Sequence, residues 1–178
     1  EYGIFHPMGG LGSVSERMAS IAKDLGVTFR MNEAVESVIM DGKTIKGVRT
    51  SQGEFFADKV VMNADFANGM TQLFPDKVRK KWSDKKLDKK KYSCSTFMLY
   101  LGIDKVYEDL PHHQIYASSN YEQNLEDIEK NHKLTWDDPS VYVQNACVVD
   151  PSLAPDGCST VYALVPVSHM HENIDWDK

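Results

Sequence analysis

The sequence predicts a mixed α/β chain. A helix and a turn-rich sheet region come first, and a second region of longer strands with short helices follows. Three observations carry this. Residues 14–25 place apolar side chains at helical spacing. Residues 27–62 hold short apolar segments punctuated by Asp41-Gly42 and Gly53. Segments 95–102, 140–149 and 159–167 are rich in β-branched and aromatic residues and are separated by Pro151, Pro155 and Gly157.

Gly9-Gly10-Leu11-Gly12 opens the helix. The spacing departs from G-x-G-x-x-G because Ser15 holds the last position. Such a loop is either a tight turn that lets the helix pack or a cradle whose N–H groups face phosphate. Ser13-Val14-Ser15-Glu16 fits a capping box. Val14, Met18, Ile21, Ala22 and Leu25 then share one face, and Gly26 stands where a left-handed residue ends a helix.

Val27, Phe29 and Met31 alternate as in a half-buried strand, and residues 34–40 predict another. Asp41-Gly42 is a hairpin signal, with Ile45 and Val48 on the returning strand. Gly53 precedes a short strand over 54–57. Val60-Val61-Met62 is apolar on both faces, which predicts a buried strand over 58–63 near the sheet centre. Residues 66–74 predict a helix capped by Asp65 and ended by Pro75. The basic stretch 76–91 is expected to be helical. Strands are predicted over 95–102, 114–117, 140–149 and 159–167, with a helix over 121–131 that turns Leu125 and Ile128 inward. A domain boundary is expected near residue 66, where the sheet-and-turn region gives way to the mixed one.

With 42% apolar and 26% charged residues, the 178-residue chain has a globular composition. No apolar run approaches the ~20 residues of a membrane helix. Glu1-Tyr2 opens without a basic segment or an apolar core, so no leader peptide is expected in this stretch. Cys94, Cys147 and Cys158 are too far apart for a disulfide scaffold or a zinc site, which predicts reduced, mostly buried thiols in a cytoplasmic compartment. The net charge of −6 hides an asymmetry: residues 77–91 carry nine Lys and Arg against Asp84 and Asp88. The acidic remainder argues against nucleic acid as a partner. The basic stretch is either a solvated helix or a patch that docks on anionic lipid.

His112-His113 suggests metal, but neighbours on a strand point to opposite faces. His169 and His171 share a face if extended, with no third ligand evident. No metal is assigned, no Ser/His/Asp constellation emerges, and no catalytic residue is named.

Residues 9–17, Gly-Gly-Leu-Gly-Ser-Val-Ser-Glu-Arg, resemble the segment of monoamine oxidases that opens the same helix. Glu33-Ala34-Val35-Glu36-Ser37-Val38 is similar to the strand of that superfamily whose valine meets the adenine end of FAD. Asp138-Pro139-Ser140-Val141-Tyr142-Val143, Asp150-Pro151-Ser152-Leu153-Ala154-Pro155-Asp156-Gly157 and Tyr162-Ala163-Leu164-Val165-Pro166-Val167, with residues 97–102 and Leu110-Pro111-His112-His113 ahead of them, resemble bacterial-type phytoene (carotenoid) desaturases.

The resemblance implies a central piece of an FAD-dependent flavoenzyme, with activity of the isolated piece not expected. Residues 1–65 would be the second segment of a Rossmann-like FAD domain, and residues 66–178 part of a mixed-sheet substrate domain. Val35 would contact FAD through its backbone, with Gly9, Gly10 and Ala64 as neighbours. The implied reaction is desaturation of a long apolar isoprenoid, with hydride passing to the flavin. Within the same scaffold a saturase, an isomerase or an oxidase of another lipid is open, as is a flavin-free module that binds an apolar ligand. Cytoplasmic location follows, with peripheral membrane contact through residues 77–91; oligomeric state does not.

Overall fold

The computed structural model describes residues 3–176 and confirms the mixed α/β class. Two compact units form. One joins the chain up to Gly26 with the chain from Tyr92 onward, and the other is Val27–Lys91.

In the first unit, helix α1 spans Gly12–Asp24. Its end follows the sequence: Gly26 takes φ 87° and its N–H donates to the Lys23 carbonyl. Its start does not. No side chain caps the helix, and the Ser13 hydroxyl donates backward to the Gly10 carbonyl at 2.7 Å instead of accepting from Glu16. The glycine turn supplies that carbonyl, so the capping box is not needed. The apolar face of α1 is uncovered, with Leu25 80% exposed.

Four strands of this unit, β4 (Ser95–Ile103), β5 (His113–Tyr116), β6 (Val141–Asn145) and β7 (Ser159–Val167), form an antiparallel sheet in the order β4-β7-β6-β5. β4 and β7 pair along their full lengths, from Ser95 opposite Val167 to Ile103 opposite Ser159. β6 is shorter than expected because residues 146–148 turn into a 3₁₀ helix. The helix after β5, α4, runs over Tyr121–Glu126 and continues as one π turn, Asp127–Asn131. Ile128 is buried there, and Leu125 is partly covered, with 39% of its surface exposed. Buried Asn124 accepts from the Ser140 hydroxyl at 2.9 Å, fixing this helix to the start of β6. Cys147 is buried, Cys158 is half-buried and Cys94 is exposed, and all three are free thiols.

The second unit holds β1 (Val35–Asp41), β2 (Thr44–Thr50) and β3 (Gly53–Phe56), a meander in that order. Asp41 opposes Thr44 across the predicted hairpin, and Gly42 takes φ 60°. Helix α2, Phe66–Leu73, packs on β1 and starts where Asp65 accepts from the Asn68 N–H at 2.9 Å. Asp65→Ala is therefore expected to cost about 1 kcal/mol, read by thermal unfolding.

Two predicted strands are absent. Residues 27–31 lie in neither sheet, and a turn with Asn32 at φ 56° follows them. Residues 58–63 lie in neither sheet, and Val61 is 90% exposed. An apolar pattern makes a strand only where neighbouring strands take up its backbone groups. The basic stretch is also not one helix. It breaks into a 3₁₀ turn, Lys80–Trp82, and one α turn, α3, at Asp84–Leu87. Leu87 is buried, as is Arg79, whose guanidinium binds Asp84 at 2.6 Å and also reaches Asp76. That pairing draws Arg79 out of the surface charge.

Candidate functional site

In the second unit, Val35 and Ala64 come together. Both line a concavity of about 330 Å³ whose other walls include Val38, Val48, Val60 and Phe74. The lining is almost wholly apolar. Val35 stands at the start of β1, an edge strand, so one side of its backbone is free of a strand partner. An edge backbone offers a donor and an acceptor to a flat heterocycle without any special side chain.

In the first unit, Gly9 and Gly10 take φ 84° and 82°, conformations that favour glycine. Their amides are committed within the chain. Gly9 N–H donates to Asp150 Oδ2 at 2.6 Å, and Gly10 N–H to the Pro7 carbonyl at 2.9 Å. A cofactor approaching this turn would meet bare Cα faces, not free N–H donors.

Asp150 is the buried centre of this unit. It is fully enclosed and caps the 3₁₀ turn Pro151–Leu153. Oδ1 accepts from the Ser152 hydroxyl at 2.5 Å and from its N–H at 3.2 Å. Oδ2 lies 3.3 Å from His6 Nε2. The Ser152 hydroxyl and the Gly9 amide stabilise the carboxylate and pull its pKa down to about 2.

Beside Asp150 opens a concavity of about 720 Å³. Ile4, Leu11, Val149 and Leu153 give it apolar walls, and His6, His112, His113, Gln144, Tyr100 and Tyr162 line it with polar groups. The His112 and His113 rings do not diverge. They stack at 4.0 Å and 12° because His112 precedes the strand that His113 begins, so strand alternation does not apply. Gln144 Nε2 lies 3.1 Å from His112 Nε2, and His113 Nδ1 lies 2.5 Å from the Tyr142 hydroxyl. Burial, then the neighbouring His113 and His6, lower the His112 pKa. Burial, then Tyr162, push the Tyr142 hydroxyl up to about 12.

A second histidine group forms where His171 stacks on His132 at 4.1 Å with His169 edge-on. Among the described residues no three His, Cys, Asp or Glu side chains are arranged to hold a metal. Asp150, Gln144 and His132 were the residues sequence reasoning missed. Asp150 and Gly9 are far apart in the chain, and nothing local marks the pairing.

Residues 2–162 match the family model described as flavin containing amine oxidoreductase. The chain belongs to this family. It is 46% identical, over 99% of its length, to a 4,4'-diapophytoene desaturase (4,4'-diapolycopene-forming) from Methylomonas sp, and 43% identical to an all-trans-zeta-carotene desaturase from Myxococcus xanthus. In both cases it spans 34% of the relative, about a third of its length. A crystal structure of an oxidoreductase from Methanosarcina mazei shares the fold at TM-score 0.61 and 13% identity, covering 91% of this chain and 34% of that one. Family membership implies a flavin. The Val35–Ala64 concavity fits part of one, being apolar and bordered by an edge strand.

Proposed function

We propose that the full-length protein is an FAD-dependent oxidoreductase that desaturates a long isoprenoid, a phytoene-like carotenoid precursor. The observation that carries this reading is the 46% identity, over 99% of the chain, to a diapophytoene desaturase. Residues 1–65 serve as the second segment of the FAD domain, and residues 66–178 as part of the substrate domain. Val35 and Ala64 border the cofactor, and Gly9 and Gly10 keep the turn before α1 free of side chains. The flavin, when bound, takes the hydride. The chain's own residues position the substrate and exclude water. The apolar walls around Leu11, Val149 and Leu153 suit a hydrocarbon, which offers no polar handle.

Product analysis tests this reading. Purified full-length protein incubated with phytoene in liposomes is expected to yield products each two hydrogens poorer than the last. Recovery of unaltered phytoene alone, from protein that holds flavin, contradicts the substrate.

The protein reaches its substrate as a cytoplasmic, peripheral membrane enzyme. Among the described residues no helix is long and apolar enough to cross a membrane. Lys80, Lys81, Lys85 and Lys86 lie on two consecutive turns, and Lys81 and Lys90 flank the Trp82 ring. Each basic residue near an anionic surface contributes about 1 kcal/mol. Glutamate at those four lysines is expected to weaken sedimentation with anionic liposomes at least ~10-fold. Unchanged sedimentation would remove the membrane contact.

A further inference from the structure

A row of polar side chains crosses the four-stranded sheet. Tyr100 on β4 stands opposite Tyr162 on β7, Tyr162 opposite Gln144 on β6, and Gln144 opposite His113 on β5. Each strand gives one residue, and all four line the larger concavity. The adjacent row on the same face, two residues along each strand, is Met98, Leu164, Tyr142 and Ile115. That row is mainly apolar, and none of its members lines the concavity. A site for hydrocarbon alone would continue the apolar row. Instead the sheet turns polar where the concavity lies.

The row keeps hydrogen-bonding capacity in reserve. One N–H of the half-buried Gln144 amide donates to His112 Nε2 at 3.1 Å, which fixes the rotation of the amide. Among the described residues, the other amide N–H has no acceptor and Gln144 Oε1 has no donor. One side chain in the row therefore offers both a donor and an acceptor. No Lys or Arg lines the concavity, and the one carboxylate beside it, Asp150, is enclosed behind His6. A carboxylate or phosphate would find no counter-charge here, whereas an uncharged oxygen finds a partner. Ile4, Leu11, Val149 and Leu153 supply apolar walls for the chain that carries it.

We propose that this concavity binds an isoprenoid carrying an uncharged oxygen, a hydroxyl or a carbonyl, and that the Tyr100–Tyr162–Gln144–His113 row selects it over the plain hydrocarbon. The isoprenoid chain rests on the function proposed above; the oxygen is read from the row. A hydrocarbon laid over the row strips the Gln144 amide of water and returns no hydrogen bond. A hydroxyl donates to Gln144 Oε1, and a carbonyl accepts from the remaining amide N–H. The preference is one of binding alone, and no covalent bond changes. At about 720 Å³ the concavity is the size that holds a ligand as large as retinol, or one end of a longer chain.

The test uses full-length, flavin-loaded protein without oxygen and two probes: retinol, and the hydrocarbon in which a methyl group replaces its CH₂OH. Each is supplied in liposomes, and the probe carried by the protein is measured by chromatography after the liposomes are floated off. Wild type and variant draw on the same reservoir, so the ratio between them reports the site and not the solubility of the probe. Gln144→Leu, close in size, is expected to weaken retention of retinol ~10-fold while holding the hydrocarbon at least as well. Leu153→Ala, on the apolar wall, is expected to weaken both probes alike. Tyr162→Phe removes one hydroxyl from the row and is expected to give a smaller loss confined to retinol; it decides the matter if Gln144→Leu does not fold. Equal loss of the two probes in the deciding variant overturns the inference, and so does a wild type that retains neither. Phytoene recovered unaltered from the wild type overturns the desaturase reading and leaves the contrast between the probes standing, which separates the two failures.

Discussion

Asp150→Ala is expected to lower the melting temperature of the full-length protein by at least ~5 °C, placing it among the more damaging single substitutions. Asp150 takes hydrogen bonds from Gly9 N–H, Ser152 N–H and the Ser152 hydroxyl, and it faces His6. Alanine removes the one acceptor that these groups share, and hydrogen bonds to a charged carboxylate are among the stronger ones. The turn at Gly9-Gly10 and the turn at residues 151–153 would lose their common anchor. Asp150→Asn should fall between wild type and alanine. An amide keeps one acceptor oxygen, so it can serve either Gly9 or Ser152, but its NH₂ confronts donors on the other side. The pH dependence has a fixed sign. The folded pKa of about 2 lies below the ordinary value of 3.8, so the stabilisation is fully present above about pH 4 and is lost as pH falls through 2. Thermal scans of wild type and Asp150→Ala between pH 2 and 7 check this: the gap between them should narrow at the acid end. A gap that does not change with pH would show that the carboxylate's charge is irrelevant.

Gly47→Ala is the second large effect. Gly47 lies in the middle strand of the meander, opposite Ile39 on one side and Phe56 on the other. A Cβ there would overlap the Phe55 carbonyl oxygen and approach Phe55 C and Phe56 Cα to 2.9 Å. These are backbone atoms, so no side-chain rotation relieves the clash and the β2–β3 pairing must open. The expected cost is roughly 3 kcal/mol or more, with poor soluble yield. Two other glycines serve as controls. Around Gly12, on the first turn of α1, an added Cβ meets nothing within 4 Å, so Gly12→Ala should be neutral or stabilising by up to ~1 kcal/mol. At Gly69 the nearest group is the flexible Met62 side chain, so Gly69→Ala should be milder than Gly47→Ala. Equal stability of Gly47→Ala and Gly12→Ala in denaturant titrations would contradict this reading of the sheet.

Features whose determinants are local were legible in the sequence. The Asp41-Gly42 turn specifies its own hairpin, Asp65 its own helix start, and Ser159–Val167 a strand whose ends fall where the pattern ends. Features that need a partner from elsewhere were not. Val60-Val61-Met62 has the composition of a central strand, but composition supplies no neighbour, and the segment instead walls the concavity shared by Val35 and Ala64. The alternation of Val27, Phe29 and Met31 fails as a strand signal for the same reason. For the site, the resemblance picked out Val35 and Ala64, and the fold brings them to one wall. It also picked out Gly9 and Gly10, whose turn the fold ties to Asp150. The His112–Gln144 contact was hidden because it joins the residue before one strand to a side chain on another, and residue spacing carries no trace of that.

The proposed desaturation requires hydride to pass from a carotenoid precursor to a flavin held by the full-length protein. The direct measurement is the absorbance of the oxidised flavin band when the full-length protein meets phytoene in liposomes without oxygen. The band is expected to bleach and to return when oxygen is admitted. A flavin that stays oxidised beside phytoene would contradict the proposed desaturation.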